Sequence, residues 1–233
     1  MRLFLVVSLM ALAGCAHSKF TVKTMDPKAL VNQICSQRDV ARSIKGSVWM
    51  KVKSNDASGQ FPADVVADGD GKLSLEVTNL LGGTEAIITV EGSQYRIQVP
   101  NKPERKEVGY GYWGGIPLRW ASDVFMGYIP CPMAKNLPDA QFQFGKDEDL
   151  VVQTIASLDS EPERFTYRFR SWWGKPWVDS VKWERLGALK LTVEFKFDEP
   201  HADTGIPQKW EAKSVQGEVK VRWKERDSIS KRP

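Results

Sequence analysis

Apolar and polar side chains alternate over two long blocks of this chain, and short turn-forming links cut the blocks into runs. Leu189, Leu191, Val193, Phe195 and Phe197 fall on one side, with Lys190, Thr192, Glu194 and Lys196 on the other. Phe165, Tyr167 and Phe169 alternate with Thr166, Arg168 and Arg170, and Val215, Val219, Val221 and Trp223 share a third such face. Period two is the signature of a strand, and one apolar face against one wet face is that of an antiparallel sheet packed on one side. Strands are expected at about 46–54, 59–68, 72–79, 84–92 and 94–100, and again from about 140 to 224. Links such as Asn55-Asp56 and Asp68 to Gly71 are short enough for hairpins. Pro62 marks an edge or a bulge in the second strand. The chain is thus mainly β within an α+β class, with a single antiparallel sheet of about eleven strands. A sheet that wide must curl, which gives an open half-barrel.

Two stretches carry the helical period instead. Asp26 and Pro27 read as N-cap and first helical residue, and Leu30, Ile34, Ala41 and Ile44 share a face, so a helix is expected to about Ser43. Pro117 opens a second helix that places Leu118, Ala121 and Phe125 together and stops at Gly127. Between the sheet blocks, 101–116 reads as a charged loop followed by a glycine- and aromatic-rich one. One N-terminal and one inserted helix are enough to cap the half-barrel but not to form a second layer.

The link Asn79-Leu80-Leu81-Gly82-Gly83 is unusual. Asn and the glycines suit positive φ, but adjacent leucines at a turn tip need a reason. Either the tip folds back onto the core or it meets something apolar.

Arg2 precedes an apolar run from Leu3 to Gly14 that is too short to span a bilayer. It reads as a signal peptide. Leu12-Ala13-Gly14-Cys15 resembles the lipobox of bacterial lipoproteins, where cleavage precedes the cysteine and the cysteine is acylated, palmitate included. Ala16 in place of Asp points to the outer membrane, on its periplasmic face. The expected organisation is a signal peptide at 1–14, a lipidated tether at 15–25, a barrel domain at 26–224 and a basic tail at 225–233. With Cys15 lipidated, Cys35 and Cys131 remain. In an oxidising compartment they can pair or stay as two buried thiols.

The inventory for chemistry is thin. The net charge of +4 is mild, and nucleic acid is not expected as a partner. His17 lies in the tether and His201 in a loop beside Asp203. No zinc spacing or Gly-x-Ser-x-Gly elbow occurs, so neither catalysis nor a cofactor or metal is expected. Asp68 to Gly71 lacks the downstream acid of a calcium loop. Gly109-x-Gly-x-x-Gly114 opens no helix in a βαβ unit. The Ser171–Trp177 stretch is expected as an aromatic hairpin packed on the sheet, although such residues also suit stacking of sugars or bases.

The order of these features resembles the Lol lipoprotein-sorting proteins, and among them the LolB-like outer-membrane receptors. The likeness covers roughly 12–224. It is sharpest from Leu75 to Ala86, where Leu81 and Gly82 match the family's protruding leucine and the glycine after it, and Leu80 stands where the family has proline. Gly115-Ile-Pro-Leu-Arg-Trp120, Met126 to Pro130 and the closing strand with Trp223 also match. The resemblance implies an open barrel with an apolar cavity for acyl chains, without catalysis. It implies acylated lipoproteins as cargo, a LolA-like periplasmic carrier as donor, attachment to the membrane by the N-terminal lipid, and a monomer. Leu80, Leu81 and Gly82 would form the insertion loop. By periodicity, Trp49, Leu75, Val77, Ile88, Tyr95, Ile97 and Phe125 are candidates to line the cavity. A structural or interaction lipoprotein of the same fold, with no sorting role, is the alternative.

Overall fold

The structure, a computed structural model, describes residues 22–36, 42–54, 58–157, 160–202 and 205–230. The signal run, Cys15, His17, most of the tether, Ala41 and Asp203 lie outside these residues. Among the described residues, no helix is long and apolar enough to cross a membrane.

The first half of the sheet is a meander of six strands: β1 (Arg42–Ser54), β2 (Ser58–Asp68), β3 (Lys72–Thr78), β4 (Thr84–Glu91), β5 (Gln94–Gln98) and β6 (Lys106–Tyr110). The short β7 (Tyr112–Trp113) and β8 (Ile116–Pro117) pair only with each other. The second half contains β9 (Gln141–Phe144), β10 (Leu150–Gln153), β11 (Glu163–Trp172), β12 (Lys175–Arg185), β13 (Leu191–Phe197), β14 (Lys209–Ser214) and β15 (Gly217–Ser230). The order across the sheet is β6-β5-β4-β3-β2-β1-β15-β14-β13-β12-β11-β10-β9. The sheet is antiparallel and open, and the first and last strands pair at its centre. It has 13 strands rather than about eleven.

The sheet strand without a counterpart among the sequence runs is β6 (106–110), where the sequence reads as loop. Its residues are nearly all exposed, so they carry no alternation. Charged, two-sided wet strands of this kind are how an edge avoids pairing with another chain. At the centre, β15 continues to Ser230 opposite Arg42, so 225–230 belong to the sheet rather than to a basic tail. The Lys224 ammonium lies 4.2 Å over the Trp49 ring, and Arg226 donates to the carbonyls of Ile206 and Pro207. The pairing of β1 with β15 shifts register at Ser47/Val48. Next to that bulge, a Cβ on Gly46 would run into the Glu225 carbonyl oxygen, so only glycine fits. At Pro62, β2 pairs with β1 but has run past the β3 ladder, so the missing N–H costs no bond.

Helix α1 (Pro27–Cys35) begins as expected, with the Asp26 carboxylate accepting from the Ala29 N–H at 2.8 Å. It ends at Cys35 rather than near Ser43. Ile44 has the same parity as Val48 and Met50, and all three are buried from β1, so the strand period wins over the helical one. The inserted helix is also shorter. Ile116–Pro117 is strand, Leu118–Trp120 a 3₁₀ turn, and α2 only Ala121–Met126. Gly127 ends it at φ 83°, where a Cβ would also collide with the Ile206 side chain.

Candidate functional site

Along β3 and the second half of β2, every other residue is buried and its neighbours are not. The chain between the two sheet edges, residues 111–140, crosses this apolar face and covers it. Trp120 meets Phe165, Trp183 and Phe195 edge-on at 5.3–5.8 Å, and Phe125 meets Trp210 at 5.1 Å and Trp223 at 6.3 Å. Between segment and sheet lies a cavity of about 60 Å³ lined by aliphatic and aromatic residues.

Leu75, Ile88, Tyr95 and Phe125 line this cavity. Val77 is buried on the same face just outside it, and Ile97 packs half-buried against the core. Trp49 does not belong there. Val48 and Met50 on either side are buried inward, so the strand period turns Trp49 out. It lines a polar groove of about 1280 Å³ on the opposite face, with Lys51, Lys220 and Arg222. The parity of Val48, Met50 and Val52 was the signal that could have excluded it. Sequence reasoning also missed Leu73 and Val90, which are paired across β3 and β4 one step from Leu75 and Ile88, and Trp113 and Trp120 of the inserted segment.

The inserted segment is pinned along its length. Ser214 Oγ donates to the Gly114 carbonyl at 2.6 Å, and Arg185 donates to the Tyr112 hydroxyl at 3.2 Å. Ser122 Oγ donates to the Asp68 carbonyl at 2.6 Å. Trp120 Nε1 donates to the Cys131 carbonyl at 3.2 Å. Arg119 donates to Glu163 Oε1 at 2.6 Å, and Trp183 Nε1 donates to that same oxygen at 3.1 Å. Glu163 is almost fully buried, so losing Arg119 would leave its charge uncompensated. Cys35 and Cys131 form a disulfide with Cα atoms 5.9 Å apart, joining the end of α1 to the chain just after α2.

Tyr95 faces the cavity from β5, and its hydroxyl donates to Glu107 on the edge strand β6. That hydrogen bond to a carboxylate, helped by burial and by the negative charge itself, pushes its pKa up to about 12.

The β3–β4 tip does not fold back. Leu80 is 83% exposed and Leu81 96%. The loop beneath them is nevertheless ordered by one side chain. Asn79 Oδ1 accepts from the N–H groups of Leu81 and Gly83 at 3.0 and 2.9 Å, and its amide donates to Glu85 at 2.8 Å. Thr84 donates to Glu76 at 2.6 Å, and Gly82 takes φ 84°. The Ser171–Trp177 hairpin also departs from expectation at its tip, where Trp173 is 82% exposed rather than packed on the sheet. His201 is exposed, and among the described residues no group of three or more His, Cys, Asp or Glu is placed to hold a metal.

No protein-family model and no curated protein sequence matches the chain. Solved structures do. A LolA superfamily protein from Nitrosomonas europaea aligns with TM-score 0.51 at 10% identity, over 87% of this chain and 93% of that one. A DUF1329 family protein from Desulfovibrio piger aligns with TM-score 0.50 at 8% identity, over 87% and 93%. A putative outer membrane lipoprotein-sorting protein domain from Vibrio parahaemolyticus aligns more loosely, with TM-score 0.48 at 10% identity over 88% and 95%. At these identities the likeness is one of fold alone, shared with a LolA superfamily protein over most of both chains.

Proposed function

We propose that the chain is a LolB-like outer-membrane lipoprotein, held by lipid on Cys15 at the periplasmic face, that takes acyl chains of other lipoproteins and delivers them to the outer membrane. The observation that carries this reading is a wholly apolar cavity between the inner sheet face and a single covering segment. A soluble LolA-like carrier is the donor, and the receptor acts as a monomer. Leu80 and Leu81, set on a loop ordered by Asn79, are the part that meets acyl chain or bilayer.

The cavity is small beside the ~300–1,000 Å³ of typical ligand sites, so uptake requires the inserted segment to leave the sheet. Such a cost also suits the role. Full burial of a C16 chain contributes ~10 kcal/mol or more, and a site that tight would not release its cargo. Displacing Trp120 and Phe125 lowers the net affinity below that of the bilayer, while the disulfide keeps the segment attached at Cys131.

The same small cavity favours a second reading, a structural or interaction lipoprotein without cargo. Protein lacking residues 1–15, once shown to be folded, is offered a fluorescent fatty acid and an acylated lipoprotein. Binding of either supports the receptor; refusal of both sinks it. Depletion in the native cell then separates delivery from binding, because a receptor's loss leaves lipoproteins stranded on the carrier.

A further inference from the structure

The links of an antiparallel meander alternate between its two ends. The leucine tip belongs to the end that also carries the β12–β13 and β14–β15 links. The β9–β10 turn and the β11–β12 hairpin share the other end. At that second end the hairpin is built in an odd way. Trp173 and Gly174 form a two-residue link with φ 51° and 73°, a geometry suited to Asn-Gly. A bulky side chain at positive φ is strained, and this one is also 82% exposed. Trp172 stands beside it, the rings 6.5 Å apart and edge-on, with Arg170 and Lys175 exposed behind them.

The start of the domain lies at this same end. Lys23, next to the first described residue, donates to the Lys146 carbonyl in the β9–β10 turn. Seven residue steps separate Val22 from Cys15, and they reach at most about 25 Å when fully extended. Given the lipid on Cys15 proposed above, the tether holds the tryptophan end nearest its own membrane, and of the two contacts proposed for the leucine tip it is the acyl chain of the cargo that the far end meets.

We infer that Trp172 and Trp173 form a second membrane contact, seating the indoles at the headgroup level of the bilayer that holds the anchor. Tryptophan suits that depth because the ring is apolar while its N–H wants a polar partner. Arg170 is already paired with Asp179 at 2.7 Å, and Asp147, Glu148 and Asp149 in the neighbouring turn oppose strong attraction to anionic lipid. Binding is therefore set by the indoles and changes little with salt.

The test uses the full acylated protein in phosphatidylethanolamine–phosphatidylglycerol vesicles, with and without brominated acyl chains. Wild-type tryptophan emission is quenched by the brominated lipid, and Trp173→Asn reduces that quenching to the part that Trp172 contributes. Trp173→Asn also melts at the same temperature or higher, because Asn tolerates the turn. Quenching that is unchanged in the variant, or a variant that is less stable, overturns the proposal. So does unchanged quenching with loss of transfer from a carrier protein, which would mark a protein dock. Palmitate labelling at Cys15 tests the anchor separately. An unlabelled chain sinks the lipoprotein reading, while quenching of the soluble chain by added brominated vesicles still decides the tryptophan surface.

Discussion

Several links expose large apolar side chains, Leu189 and Val215 among them, and the two hairpins that carry adjacent large apolar residues at the tip, at 80–81 and 172–173, are built on opposite principles. The β3–β4 tip is relaxed: glycine occupies the positive-φ position, and Asn79 satisfies two loop N–H groups with one oxygen. The β11–β12 tip is strained, with Trp173 where glycine or asparagine would be comfortable. A relaxed loop presents its leucines in one fixed shape, as contact with a transient apolar surface requires. A strained one is kept only where the side chain itself is needed. Exposed apolar residues on one domain therefore need not serve one purpose. One tip fits cargo, and the other fits standing attachment.

The largest effect belongs to the shared support beneath both tips. Trp120→Ala should cost about 3–5 kcal/mol in urea unfolding, because it empties the junction of Phe165, Trp183 and Phe195. Both tips should then fail together, and selective failure of one would show that the halves fold independently. Next comes the disulfide. Replacing Cys35 and Cys131 with serine should cost about 2–4 kcal/mol, yet raise the rate of fatty-acid uptake by freeing the inserted segment. Slower uptake would mean that the segment is no gate.

Asn79→Ala separates the tips. It should cost about 1 kcal/mol and speed amide exchange at 80–83 while leaving 171–175 unchanged. The tip side chains themselves should matter least for stability. Leu81→Glu should lie within about 0.5 kcal/mol of wild type but lose delivery, whereas Trp173→Asn should gain about 1 kcal/mol by relieving the left-handed backbone. Loss of folding in Leu81→Glu would return the leucines to the core. At neutral pH, Tyr95→Phe should lower stability, because it removes the hydroxyl that donates to Glu107. The tyrosine pKa is raised in the fold, so its contribution is fully present below about pH 10 and is lost as pH rises towards 12. Alkaline titration should loosen the β5–β6 edge in the leucine half first, and Tyr95→Phe should abolish that step.

Much of the architecture was legible because alternation is a local property. The strand pattern in β2, β3 and β13, the cap at Asp26 and the stop at Gly127 all follow from neighbours within a few residues. β6 was not legible, because an edge strand wet on both sides has no pattern to show. Part of the cavity was visible in Leu75, Ile88, Tyr95 and Phe125, and Leu73 and Val90 follow from the same parity once the pairing is known. Trp49 misled because an aromatic next to buried residues looks like core until its parity is counted.

Read alone, the chain announces its strand faces, the start of the first helix, the stop of the second, and the odd leucines at 80 and 81. Turn chemistry, caps and period two act over short distances, so a local reading reaches them. Other features wait for the assembled fold: which apolar face the 111–140 segment covers, that Trp49 looks outward, and that the leucine and tryptophan hairpins lie at opposite ends of the sheet. Those depend on strand order and on contacts between residues far apart in the chain, such as Arg42 with Ser230 and Trp120 with Phe195, which no local pattern encodes.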